Sequence, residues 1–261
     1  MSWLIGRRTE KRWVRAWVMA GMVLCLLSAC AGDDPARKKR AQALQDLGNS
    51  LAAEGELRRG LSKLLEAERL DPDNPDINHQ IALVLRNLGD YPLSLQYFKR
   101  ALVLKPRFPE ARNNLGTLYL VMQQWDKAIG CFKKATEDLE YQTPQYAYNN
   151  MGIAYFNKGD YDQAIASYKR ALKSAPRYRL CYINLVAAYE AKGDLQEAVD
   201  AYNSLLGYYP RDPAIRLALG KLLLRMGDRA AAEKELKLTV EYGGEGREAG
   251  EAKALLGKQK E

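Results

Sequence analysis

Residues 145–176 read QYAYNNMGIAYFNKGDYDQAIASYKRALKSAP, two helix-forming stretches separated by a turn signal. Gly152 places a small residue in the first stretch, where a second helix can approach closely. Gly159 ends this stretch, because glycine accepts the left-handed conformation of helix ends, and Asp160 is suited to cap the next helix. Pro176 stops the second stretch, since proline cannot continue a helix. The segment therefore predicts a hairpin of two antiparallel helices.

The same pattern recurs six times along the chain. The copies begin 34, 34, 36, 34 and 34 residues apart, at Ala41, Pro75, Pro109, Gln145, Arg179 and Pro213. The eighth position is small in five copies: Gly48, Ala82, Gly116, Gly152 and Gly220. The twenty-fourth position is large in every copy: Leu64, Phe98, Phe132, Tyr168, Tyr202 and Leu236. This 34-residue period resembles the tetratricopeptide repeat family, whose unit is a pair of antiparallel helices.

That resemblance implies an all-α fold, a right-handed superhelix (solenoid) of six helix-turn-helix repeats over residues 41–246. Residues 247–261 are expected to form a capping helix and tail, since one face of this helix would carry Ala249, Ala252, Leu255 and Leu256. The third copy departs from the pattern, because Gln123 replaces the turn glycine and two extra residues fall near Glu140. We expect an extended second helix in that copy.

The first thirty residues have the features of a lipoprotein leader. Residues 1–15 are basic, and the apolar run from Ala16 to Leu27 spans about 18 Å as a helix, short of a bilayer core of about 30 Å. Residues 1–29 are therefore interpreted as a secretory signal peptide. Leu27-Ser28-Ala29-Cys30 resembles the lipobox of bacterial lipoproteins, which implies a covalent lipid on Cys30. The alternative is an uncleaved anchor helix with a cysteine there by chance.

The residues after Cys30 indicate which membrane holds the protein and what its basic residues contact. Ala31 and Gly32 follow it directly, which by the lipoprotein resemblance implies the outer membrane, with the folded body in the periplasm. Residues 30–40 are expected to form the lipidated cysteine and a tether. Half of the net charge of +8 lies in residues 1–29, and the dense run at 37–40 suits anionic head groups beside the anchor. We therefore expect contact with a membrane and no binding of nucleic acid.

Residue types that carry catalysis are sparse. The chain contains one histidine, His79, which we expect to be an exposed polar residue, and it has no HExxH, GxSxG or GxxxxGK[ST] motif. Cys131 and Cys181, two repeats apart, are interpreted as small packing residues. We therefore expect no enzyme activity, no metal, no small-molecule substrate, and no cofactor beyond the lipid on Cys30.

A protein-binding face is predicted on the first helices of the third to fifth copies, which line the concave side in this family. Its amides are Asn113, Asn114, Asn149, Asn150 and Asn184, and its apolar side chains include Leu120, Val121, Tyr146, Ile153, Phe156, Leu180 and Ile183. An amide both donates and accepts, so a row of amides can bind an extended peptide. The same amides can instead bond within the protein, and the sequence leaves both possibilities open.

The combination of lipid anchor, six repeats and chain length resembles the pilotin family of type IV pili. Members of that family bind the secretin subunit and bring it to the outer membrane, where it assembles into a pore. Two other functions remain open at this point. One is a different envelope adaptor, such as a scaffold for peptidoglycan hydrolases or an outer-membrane protein assembly lipoprotein. The other is an enzyme whose catalytic residues the sequence does not reveal.

Anchoring through Cys30 predicts the outcome of a single substitution. Cys30→Ala should release the protein from the membrane fraction, because its acyl chains have no attachment site without the thiol. Cys25→Ala is the matched control, since Cys25 lies in the predicted leader and the change should leave anchoring intact. Membrane fractionation followed by immunoblotting measures both. Retention of the Cys30→Ala protein in the membrane would contradict the lipoprotein interpretation.

Overall fold

The computed structural model of the protein describes residues 34–258, in which every regular element is an α-helix. The described residues divide into two compact units, 34–104 and 105–258, which are described separately. Unit 1 contains α1 (Pro35–Ala53), α2 (Leu57–Leu70), α3 (Pro75–Leu88) and α4 (Tyr91–Leu104). Unit 2 contains α5 (Pro109–Val121), α6 (Trp125–Thr136), α7 (Pro144–Lys158), α8 (Tyr161–Ser174), α9 (Arg179–Lys192), α10 (Leu195–Tyr208), α11 (Pro213–Met226), α12 (Arg229–Gly243) and α13 (Arg247–Lys258). The predicted all-α fold of helical hairpins is confirmed.

Close contact between the two helices of each hairpin explains the small eighth position. A Cβ on Gly152 would lie 2.4 Å from Cε1 of Tyr168, and one on Gly116 would lie 2.5 Å from Cε1 of Phe132. Both rings are buried at the twenty-fourth position of the same copies. In these two copies only a glycine fits at the eighth position, because any side chain there would overlap the ring, whereas the second copy carries Ala82.

The turns inside the hairpins follow the sequence signals. Gly159 ends α7 in the left-handed conformation at φ 83°, and the glycines at the same position of copies one, two, five and six do likewise. Side-chain caps follow in three of the six copies: Asp90, Asp160 and Asp228 accept hydrogen bonds from Leu93 N, Gln163 N and Ala231 N. The carboxylate of Asp194 instead pairs with Lys192, 2.7 Å away.

The third copy corrects the expectation of an extended second helix. Gln123 adopts the left-handed turn conformation at φ 56°, so the hairpin forms without the glycine. Helix α6 then ends at Thr136 after 12 residues, whereas its counterpart α8 has 14. The extra residues form a turn in which Asp138 Oδ1 accepts from Glu140 N at 3.0 Å, and Tyr141 is buried beneath it. Burial of this ring favours a turn over further helix.

Helix α1 begins earlier in the chain than the sequence indicated, so the segment that precedes it is shorter than the expected tether. Asp34 caps the helix by accepting from Ala36 N at 3.0 Å, and Pro35 occupies the first helical turn, where it is well tolerated. Residues 35–40, expected to be part of a tether, are therefore helical. The predicted signal peptide and Cys30 lie outside the described residues, as do residues 259–261.

The last helix covers the end of unit 2, as its apolar face predicted. Ala249 and Ala252 are completely buried, while Leu255 and Leu256 pack against a cluster that includes Leu236. Within residues 34–258, no helix combines the length and apolar character that crossing a membrane requires.

The expectation that His79 is exposed is wrong. Its side chain is 6% exposed, and its ring lies 5.9 Å from the ring of Phe98 in the second helix of the same copy. The histidine takes part in the packing of the hairpin because α3 buries residues around much of its circumference, including Ile77, Asn78 and Ile81.

The ring contact of Gly152 predicts a large effect from a single methyl group. Gly152→Ala should lower the free energy of unfolding by about 2–3 kcal/mol, as overpacking of a closed contact usually does. Gly130→Ala is the matched control, because Gly130 is also helical but an added Cβ would have no atom within 4 Å. That change should raise stability by up to about 1 kcal/mol through helix propensity. Urea unfolding measures both, and equal stability of the two variants would contradict the packing argument.

Candidate protein-binding surface

The twelve residues of the predicted protein-binding face all lie in unit 2, on three first helices. Helix α5 carries Asn113, Asn114, Leu120 and Val121, helix α7 carries Tyr146, Asn149, Asn150, Ile153 and Phe156, and helix α9 carries Leu180, Ile183 and Asn184. Helix α7 contacts both α5 and α9. The three helices therefore present adjacent surfaces, as a shared binding site requires.

Amide hydrogen bonds join these first helices to one another. Asn150 Nδ2 donates to Asn113 Oδ1 at 3.3 Å, and Asn184 Nδ2 donates to Asn149 Oδ1 at 2.9 Å. The two bonds are equivalent, since each runs from the sixth position of one copy to the fifth position of the copy before it. The asparagines thus form a repeating link between neighbouring copies.

This link divides the asparagines into two groups. Asn113 and Asn149 are 9% and 1% exposed, so their side chains have little surface to offer a partner. Asn150 and Asn184 are half-buried. Each amide nitrogen has two hydrogens and uses one in the link, so a second donor and the amide oxygen lie outside this bond. Bonding within the protein is thereby shown for four of the asparagines, and contact with a partner stays a prediction.

Apolar side chains lie exposed on the same helices. Val121, Tyr146, Leu180 and Ile183 are between 44% and 51% exposed. By contrast, Leu120, Ile153 and Phe156 are half-buried, and the last two pack against the core. We call the accessible set, Val121, Tyr146, Asn150, Leu180, Ile183 and Asn184, the first-helix surface. A group of exposed apolar side chains of this kind is typical of a surface that a partner covers.

An aromatic contact supports one edge of this surface. The ring of Tyr146 meets that of Tyr178 edge-on, with centroids 5.6 Å apart. Such a contact holds the exposed tyrosine in one orientation and reduces the entropy lost on binding. Sequence reasoning missed Tyr178 because it lies in the turn just before the fifth copy begins. The aromatic residue directly preceding that copy was the available signal.

Charges near the surface are paired. Lys158 contacts Asp126 at 2.6 Å, and Arg225 contacts Glu190 at 2.8 Å, each pair joining neighbouring copies. The hydrogen bond that Lys158 donates to Asp126 raises the pKa of the lysine, and the one that Arg225 donates to Glu190 raises the pKa of the arginine, so both cations stay charged. Such exposed pairs add little stability. The two pairs therefore contribute to the contact between neighbouring copies, with neither cation unpaired.

The two cysteines of the repeats have the surroundings of packing residues. Burial raises the pKa of the Cys181 thiol to about 12, and its Sγ donates to the carbonyl of Tyr168 at 3.4 Å. Burial also raises the pKa of Cys131, against the opposing effects of Arg112 and Lys134. Because the thiolate is the reactive form, both environments disfavour nucleophilic chemistry.

Comparison with known families agrees with the hairpin geometry. Tetratricopeptide repeat profiles match residues 39–106 and 149–214, residues 107–176, and residues 189–256. The chain belongs to the tetratricopeptide repeat family. Repeats of this family bind protein partners, which agrees with an exposed apolar surface on the first helices.

Two solved tetratricopeptide structures are similar to this chain over most of its length. One is pilF of Pseudomonas aeruginosa, with a TM-score of 0.67 and 18% identity over 84% of this chain and 99% of that one. The other is PilW, described as a widely conserved type IV pilus biogenesis factor, with a TM-score of 0.67 and 23% identity over 80% of this chain and 96% of that one. At these identities the likeness shows a shared fold.

Curated relatives are similar over a shorter range. The photosystem I assembly protein Ycf3 of Cyanophora paradoxa is 33% identical over 105 residues, which is 39% of this chain and 58% of that protein. The Ycf3 of Synechococcus elongatus is 32% identical over 118 residues. The chain spans about six-tenths of the length of these relatives. Such a match covers a run of repeats common to both proteins.

The asparagine link predicts a stability effect at Asn184. Asn184→Ala should lower the free energy of unfolding by about 1–3 kcal/mol, because it leaves the buried Oδ1 of Asn149 without its donor. Asn203→Ala is the matched control, since Asn203 is exposed on α10 and should tolerate alanine with little change. Thermal unfolding followed by circular dichroism compares the two. Equal melting temperatures would show that the link contributes nothing to stability.

Proposed function

We propose that the chain is a lipid-anchored scaffold of the pilotin type. It binds the secretin subunit of the type IV pilus machine and promotes localisation and multimer assembly of that subunit in the outer membrane. The observation that carries the proposal is the first-helix surface, where four apolar side chains stand exposed beside half-buried amides on contacting helices. The fold likeness to PilW, a pilus biogenesis factor, supports the choice of partner.

The first-helix surface suits a peptide or helix with apolar anchors. Leu180 and Ile183 lie three residues apart on α9, so they form one apolar strip on that helix. Tyr146 on the adjacent α7 extends the strip, and its contact with Tyr178 holds it in place. Asn150 and Asn184 beside it retain amide groups for the backbone of a bound segment. The anchors provide affinity through burial, and the amides orient the segment.

The lipid on Cys30 would provide the location in this proposal. Acyl chains hold the scaffold at the outer membrane, so a secretin subunit on the first-helix surface is held there too. Tethering raises the local concentration of subunits, which favours their assembly into multimers. Binding of the secretin subunit and anchoring by the lipid would thus both promote multimer assembly.

A second candidate is an adaptor for a different membrane complex. The local likeness to Ycf3, an assembly protein for photosystem I, favours a general role in assembly without naming a complex. This adaptor would use the same surface and anchor. The two candidates differ in the protein that co-purifies with the chain.

The proposed binding mode predicts that Leu180→Asp with Ile183→Asp lowers affinity for the secretin subunit at least about tenfold, because two anchors acquire charge. Co-purification from solubilised outer membranes, together with the yield of heat-resistant secretin multimers, measures the loss. Val103→Asp with Leu139→Asp is the matched control, since both residues are exposed, at 78% and 100%, and neither belongs to a first helix. The control should retain the secretin subunit.

Three results would contradict the proposal. Failure of the unsubstituted chain to bring down a secretin subunit is one, and it would favour the second candidate if subunits of another complex appear. Equal retention by the two double variants would place binding elsewhere on the chain. Normal multimers and pili in cells that lack the gene would exclude the pilotin role.

A further inference from the structure

The first helix begins close to the proposed lipid site. Asp34 caps α1, and Lys38 N donates to Asp34 O at 3.1 Å, so helical structure is already established at that point. Three residues separate Cys30 from Asp34, and a fully extended chain covers the four residue-to-residue steps in at most about 14 Å. The ten-residue tether expected from the sequence would have reached about 35 Å. If Cys30 carries the lipid, the start of α1 lies within reach of the head groups.

The start of α1 is strongly basic. Arg37, Lys38, Lys39 and Arg40 occupy its first two turns, where no acidic residue accompanies them within the helix. The amino end of a helix carries a partial positive charge, so cations there are unfavourable for the helix itself. An anionic surface close to this end would offset the repulsion.

The four cations differ in their hydrogen-bond partners and in the acidic residues near them. Arg37 donates to the carbonyl of Arg69 at 3.2 Å, and an open cavity of about 530 Å³ beside Arg37 and Lys38 is also lined by acidic residues, Asp34, Asp71, Asp73 and Asp76. Lys39 and Arg40 are exposed, and no ion pair to either occurs within residues 34–258. These two cations are therefore the ones open to an external anion.

Lys39 lies on the outer side of α1. The helix buries Ala41, Gln45 and Gly48 against the rest of unit 1. At about 100° per residue, Lys39, Ala43 and Leu47 fall on the opposite side, and Arg40 lies beside them. Leu47 is 47% exposed, so this outer strip joins two cations to a small apolar stretch. Asp46 lies at its edge, where its carboxylate accepts from Gln42 at 2.9 Å.

We infer that the outer strip of α1, with Lys39 and Arg40, binds the anionic phospholipid head groups of the membrane that holds the lipid anchor. This inference rests on the proposed lipid at Cys30 and is independent of the identity of the protein partner. The contact orients the first hairpin on the bilayer, so the scaffold is held at two points. The cations are attracted to the leaflet, and Ala43 and Leu47 lie against its interface.

The test uses the intact lipidated chain in vesicles. Its intact mass first establishes that acyl chains are present. The chain is then reconstituted in phosphatidylcholine vesicles and in vesicles containing phosphatidylglycerol, and hydrogen–deuterium exchange is followed in peptides covering residues 34–47. Exchange should be at least about fivefold slower on the anionic vesicles at low salt, and the difference should vanish at high salt, because the attraction is electrostatic.

Paired charge reversals establish which cations act. Lys39→Glu with Arg40→Glu should abolish the slowing on anionic vesicles. Lys133→Glu with Lys134→Glu changes the net charge equally at an exposed pair on α6, and it should leave the slowing intact. Unfolding temperatures of both variants in detergent check that the helices remain formed.

Each alternative outcome has a distinct meaning. Equal exchange on the two kinds of vesicle, or an equal effect of the two reversals, would overturn the head-group contact while leaving the pilotin proposal intact. Slowing that occurs only when a partner protein is added would assign the strip to that partner and overturn the inference. A chain without acyl groups would overturn both the inference and the lipid anchor. Slowed exchange in a chain that binds no secretin would refute the pilotin alone.

Discussion

The close approach of two helices at the glycine of the eighth position is the contact on which the rest of the structure depends. Gly152 lies directly against the ring of Tyr168, and Gly116 lies against that of Phe132, at distances that leave no room for a methyl group. This approach sets the spacing of the helices within a copy. It thereby sets where the first helices of successive copies meet, and α7 contacts both α5 and α9. The asparagine link and the first-helix surface both require that adjacency.

The first-helix surface combines helices that are joined by buried hydrogen bonds with apolar side chains that are exposed. Asn149, almost completely buried, accepts from Asn184 and so ties α9 to α7 without occupying exposed area. Leu180 and Ile183 remain exposed on α9, close to Asn184 along the helix. A frame held by buried hydrogen bonds loses little entropy when a partner covers it, so more of the burial energy appears as affinity.

Most of the hairpins could be predicted because their signals are local. Gly159 and Asp160 specify a turn by their own conformational and capping preferences, whatever the rest of the chain does. The features that escaped prediction depend on packing between elements. His79 is buried because of the ring that faces it, and α6 ends early because Tyr141 is buried beneath the turn. The amide pairing joins residues 35 and 37 positions apart, a relation that only the assembled copies reveal.

The proposed function requires a secretin segment on the first-helix surface while the lipid holds the scaffold at the membrane. Site-specific photocrosslinking in cells tests this arrangement, with a photoreactive amino acid at Ile183 and, for comparison, at Val103 on α4. Both positions are exposed, at 44% and 78%. We expect a crosslink from position 183 to the secretin subunit, in the membrane fraction, and none from position 103. Crosslinking from 103 with none from 183, or no secretin at either position, would refute the arrangement.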